Sequence, residues 1–128
     1  MVMSTILEYS ILDDIKKLLG IPIDDSEIET ESYDPFNMDI MIHINSVFNR
    51  LKQLGVGPST TFSISSRDET WGDFFGDLQV VEMVRSYMFL KVKMQFDPPS
   101  SSIASEAYKN QIAEYEWCMN VDVETEWR

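Results

Sequence analysis

The sequence predicts an all-α fold, and three observations carry that prediction. Apolar residues recur at three- and four-residue spacing in four separate stretches, each a buried stripe along one side of a helix. Glycine and proline fall between these stretches as stop signals. Alternation of the kind a half-exposed strand needs is confined to two short segments. At 128 residues, 44% of them hydrophobic, the chain suits a single domain spanning 1–128 that buries its own core.

The first helix is expected at about 6–19. Thr5-Ile-Leu-Glu8 reads as a capping box, in which hydroxyl and carboxylate satisfy each other's backbone N–H groups. Ile11, Leu12, Ile15, Leu18 and Leu19 form its stripe, and Gly20 with Pro22 ends it. Residues 24–34 carry six acids and no base, a block that resists packing and reads as an exposed acidic loop. Its spacing and lack of a central glycine do not fit a calcium loop.

The second helix is expected at about 35–54, opened by Asp34-Pro35. Its stripe is Phe36, Ile40, Ile44, Val47, Leu51 and Leu54, widened by Met41 and Phe48. Residues 59–76 read as a connector. Phe62 and Ile64 alternate with serines and suggest a short extended arm or hairpin, followed by a helical turn at Trp71, Phe74 and Phe75. The stretch 78–96 mixes both periodicities, but nineteen residues without Gly or Pro are too long for an ordinary strand. One long helix is therefore expected, apolar on nearly every side and hence central or covered by another subunit. Asp97-Pro98-Pro99 stops it. Ser101 or Ser102 caps the last helix, whose stripe is Ala104, Tyr108, Ile112, Tyr115 and Met119. Residues 120–128 read as an acidic tail carrying Val121, Val123 and Trp127.

Charge and composition narrow the function. Ten basic against 22 acidic residues give a net charge of −12, which opposes tight binding to phosphate backbones. The single cysteine excludes an intrachain disulfide and fits a reducing compartment. No basic leader and no ~20-residue apolar run is present, which points to a soluble intracellular protein with no membrane contact. His43, the only histidine, lacks a second His or Cys one turn away and reads as a packed, hydrogen-bonded side chain, not a metal ligand. Cys118 lies beside Glu114 and Glu116, which disfavour a thiolate, so it reads as structural. No catalytic residue, cofactor site or metal site is expected, and the chain reads as no enzyme. Trp71, Phe74 and Phe75 in the connector need burial, either over the end of the bundle or against a neighbouring subunit; with Val123 and Trp127 they are the residues expected to meet partners, because buried aromatics often carry interface energy.

The order and spacing of several blocks resemble the small head–tail connector, or adaptor, proteins of tailed bacteriophages and prophages. These blocks are Ile42-His-Ile-Asn-Ser-Val-Phe48, Gln53-Leu-Gly-Val-Gly-Pro58, Thr70-Trp71, Tyr87 with Lys91-Val92, Phe96-Asp-Pro-Pro-Ser-Ser101, and Glu116-Trp117 with Asn120-Val121. The resemblance covers about 6–121 and leaves out the acidic segment 24–34 and the end of the chain. It implies a four-helix bundle-like domain in a homo-oligomeric ring of about a dozen copies, closed by heterologous contacts. Such a ring lies below the portal protein, meets tail-completion proteins, and passes DNA only as cargo. It belongs to the virion and is assembled in the host cytoplasm.

Two other readings carry weight. An all-α Mg²⁺-dependent nucleotide pyrophosphohydrolase would need paired acids on facing helices, whereas Asp24/Glu27 and Glu31/Asp34 fall in the acidic loop. A small acidic regulatory protein mimicking DNA would use 24–34 and stay monomeric or dimeric.

Overall fold

The computed structural model describes residues 6–21 and 35–126, with side chains placed for 6–21 and 37–120. Among the described residues the regular structure is helical: α1 Ile11–Leu18, α2 Pro35–Gln53, α3 Trp71–Phe74, α4 Leu78–Phe96 and α5 Ser102–Glu126. Helix α4 lies at the centre, packed against α1, α2 and α5, and α1 also packs on α2.

Helix α1 starts later than its pattern suggests. A helical turn at 6–8 ends at Tyr9, and Ser10 then caps the helix by accepting from the Asp13 amide at 3.3 Å. The interruption has a local cause. Ser10 pairs with Thr70 in an isolated antiparallel bridge, with the Ile11 amide donating to Glu69 O and the Trp71 amide to Tyr9 O. Thr5 lies outside the described residues, as does the acidic segment 24–34. At the other end Gly20 takes φ +83°, and the Ile21 amide reaches back to Lys16 O. Ile11, Leu12 and Ile15 are buried, while Leu18 faces outward.

Helix α2 buries Ile40, Met41, Ile44, Val47, Phe48 and Leu51, the stripe that its spacing implies. The connector 59–70 forms neither hairpin nor free arm. Asn45 on α2 clamps it: the Asn45 side chain accepts from the Ile64 amide at 2.8 Å and donates to Ile64 O at 3.0 Å. A side-chain amide thus substitutes for the strand partner that the alternating residues lack. Phe62 packs against Phe48 and Phe74, with ring centroids 4.9 and 5.4 Å apart. Helix α3 opens with a capping box that joins Thr70 and Asp73.

Helix α4 forms over the full expected span, capped by Asp77, and buries Val81, Val84, Tyr87, Met88 and Val92. Its exposed positions are all polar: Gln79, Glu82, Ser86 and Gln95. The central placement thus covers the apolar surround of this helix within one chain. In α5, Ser101 supplies the cap for the Ala104 amide, and Met119 is buried with Ile112 and Tyr115 packed around it. The expected tail does not begin at 120, because helix α5 continues to Glu126 and gives it a length of ~37 Å.

Candidate functional site

Two polar clusters tie the helices together. In the first, Asp14 on α1 is buried and accepts from Trp71 Nε1 at 2.8 Å. Arg85 on α4 grips the same carboxylate with Nε at 2.5 Å and Nη2 at 2.9 Å. A buried carboxylate held by a guanidinium fork is a strong, directional contact, and here it fixes three elements at once. Hydrogen bonding to Asp14 raises the Arg85 pKa despite burial, keeping it charged. Beside it Arg67 holds Asp13 at 3.0 Å, and the buried Lys16 donates to Asn37 at 2.8 Å.

In the second cluster, Glu116 on α5 accepts from the Tyr87 hydroxyl at 2.6 Å and from Arg50 Nη2 at 3.1 Å, with Lys91 Nζ at 4.0 Å. Burial pushes the Glu116 carboxyl up, but Arg50, Tyr87 and Lys91 outweigh it and leave its pKa below the ordinary range. Burial, then the neighbouring Glu116, pushes the Tyr87 phenol well up, so it stays a donor. Glu116 therefore joins α5 to both α2 and α4.

In both clusters the carboxylates are engaged by cations and donors of the same chain. Among the described residues, no group of three or more His, Cys, Asp or Glu is placed to hold a metal ion. A shallow open cleft is lined by Tyr9, Ser10, Asp13, Asp14 and Lys17. His43 bonds Gln95 at 2.8 Å through Nδ1 and lies 3.6 Å from Asp39 through Nε2. Cys118 is half-buried in the C-terminal half of α5.

The expected contact residues fare unequally. Trp71 is 0% exposed and Phe74 is 3% exposed, both in the chain's own core, and Phe75 is half-buried against them. Trp71 and Phe74 thus take the first of the two places expected for them, burial against their own body, and the reading of these two as contacts to a neighbour is corrected. The bridge at Ser10–Thr70 and the clamp on Ile64 draw their connector inward. The side chain of Val123 and all of Trp127 lie outside the described residues. Outward-facing apolar side chains instead lie on α2, at Met38 (48% exposed) and Ile42 (64%), and on α5, at Ile103 (83%) and Trp117 (67%). The sequence did hold a signal for these four. Each sits half a turn away from the stripe of its own helix, where polar residues are the rule.

The helical body with outward apolar positions can be set against known proteins. The pattern of the phage connector proteins matches residues 11–126. The chain belongs to the phage connector protein family. No curated protein and no solved structure matches it. Membership makes this a structural connector component of a virion, working alongside other virion components. No described helix is long and apolar enough to cross a membrane.

Proposed function

We propose that this family member is a head–tail connector subunit that forms a ring below the portal protein, through which DNA passes. The observation that carries the reading is the family match, which spans 11–126 and so takes in every described helix. The ring contains about a dozen copies joined by heterologous contacts, and tail-completion proteins attach beneath it. Large apolar side chains facing water on α2 and α5 support this, because a monomer gains nothing from an indole and an isoleucine held in solvent.

Charge supports passage without binding. Most described cations are already engaged inside the chain: Arg50 and Lys91 with Glu116, Arg67 with Asp13, Arg85 with Asp14, and Lys93 with Asp97. A copy with net charge −12 and few cations to spare offers little to a phosphate backbone, so DNA slides past instead of sticking. Assembly takes place in the host cytoplasm and the product is the virion.

The test is co-purification with the portal protein encoded by the same virus, followed by electron microscopy of the complex. A closed ring of this protein on the portal is the expected result. A chain that neither binds the portal nor forms closed oligomers in its presence would overturn the reading.

A further inference from the structure

We infer that the outward face of α5 on one copy docks antiparallel on the outward face of α2 on the next copy. The inference deepens the ring reading, on which it rests, by naming the two surfaces that meet.

One exposed row of α2 runs Met38, Ile42, Ser46, Asn49 and Lys52 at helical spacing, with the exposed Asp39 beside its N-terminal end, 3.6 Å from His43. This face is apolar at its N-terminal end, uncharged in the middle and cationic at its C-terminal end. Lys52 donates to the Thr61 hydroxyl at 3.1 Å but holds no carboxylate among the described residues. One exposed row of α5 runs Ile103, Glu106, Asn110, Glu114 and Trp117. From Trp117 back to Glu106 is eleven residues, ~16 Å along the axis. From Met38 and Ile42 forward to Lys52 is fourteen and ten residues, ~21 and ~15 Å. With the helices antiparallel, the Trp117 indole covers Met38 and Ile42 while Glu106 reaches Lys52. Asn110 then falls opposite Ser46 and Asn49, amide against hydroxyl and amide.

Charge selects this pairing over the obvious rival. Two α5 faces placed together about Asn110 would bring Glu106 of each copy onto Glu114 of the other, like charges in contact between molecules already at −12. From Ile42 to Lys52 the α2 row carries no acid, and Asp39 at its other end has His43 beside it, so this face repels an acidic copy less than a second α5 does. The contact is also heterologous, since each copy uses one face to give and another to receive, and such contacts make a ring where the rotation between copies closes. A single helix pair covers roughly 300 Å² per partner, well short of the ~800 Å² of a stable complex. One contact is therefore weak alone and gains strength from closure.

The test is sedimentation velocity over a concentration series with the full chain, using Ile42→Asp, Trp117→Ala, Lys52→Glu, Glu106→Lys and the double charge reversal. Circular dichroism melts confirm that each variant folds. Wild type associates increasingly with concentration, and Ile42→Asp and Trp117→Ala each weaken this roughly tenfold or more. Mixed in equal amounts, these two variants associate no further than a 1:1 pair, held by the single weak contact that remains. Lys52→Glu and Glu106→Lys each weaken association, and the double variant recovers it. Wild type that stays a single small species at every concentration overturns the inference, as does a double charge reversal that fails to recover association. Association that persists unchanged in all the variants removes these faces while leaving the ring reading to the portal experiment.

Discussion

Replacing Asp14 with alanine removes the shared acceptor of α1, α3 and α4, and its cost can be worked out from the contacts. Breaking one side of a buried ion pair typically costs about 3–5 kcal/mol. Arg85 keeps 27% of its side chain exposed, so water recovers part of its solvation and the lower end of that range applies. Trp71 Nε1 has no such recourse, because the residue is 0% exposed, and an orphaned buried donor adds about 1 kcal/mol or more. The sum is ~4 kcal/mol, against a total stability of about 5–15 kcal/mol for a domain of this kind. With a urea dependence of about 2 kcal/mol per molar, the unfolding midpoint should fall by ~2 M. Equilibrium urea unfolding followed by far-ultraviolet circular dichroism measures this directly. Adding Arg85→Met to Asp14→Ala should cost far less than the sum of the two single changes, because the stranded guanidinium is gone. A loss under ~1 kcal/mol, or strict additivity, would refute the view that this carboxylate joins three helices.

Trp71→Ala should cost about 3–5 kcal/mol by emptying a fully buried site, whereas Trp117→Ala should change stability by less than about 0.5 kcal/mol; paired thermal melts distinguish them. Gly57 takes φ +101°, and a Cβ there would lie 2.7 Å from the Phe74 ring, so Gly57→Ala should lower stability by about 2 kcal/mol or more in a urea titration. A chain ending at Asn120 should stay folded by circular dichroism, since the deepest α5 contact, Met119, is retained, yet show impaired docking or ring assembly in the portal co-purification.

Much of the fold was legible because helix periodicity and stop signals are local. The stripes of α2, α4 and α5 and the boundaries at Asp97-Pro98-Pro99 and Ser101 are read from neighbours in sequence. What was hidden depends on distant partners. The break at Ser10 comes from Thr70, sixty residues away, and the inward draw of 59–70 comes from one side chain, Asn45. The burial of Trp71 follows from the same cause: with the connector pulled onto the body, its indole finds Asp14, and nothing in Thr70-Trp71 announces that. The aromatic cluster was thus sound as a hydrophobic feature but misplaced as a surface. The outward positions on α2 and α5 lie opposite each stripe, and periodicity alone says nothing of what covers that side of a helix.

The position of Glu116 links folding to assembly. It bonds Arg50 on α2 while sitting next to Trp117 on α5, so one carboxylate sets how the two outward faces lie relative to each other. Its pKa is lower in the folded chain than in the unfolded one, because Arg50, Tyr87 and Lys91 favour the anion. The stability it supplies is therefore complete above the ordinary carboxylate range and disappears as pH falls through the lowered folded value. Glu116→Gln should flatten the acid side of the stability profile, measured as urea midpoints across a pH series. Near neutral pH the same variant should weaken self-association in sedimentation, although its side chain lies outside the proposed contact. Unchanged association would mean that the relative angle of α2 and α5 is set by Met119 and its apolar neighbours alone.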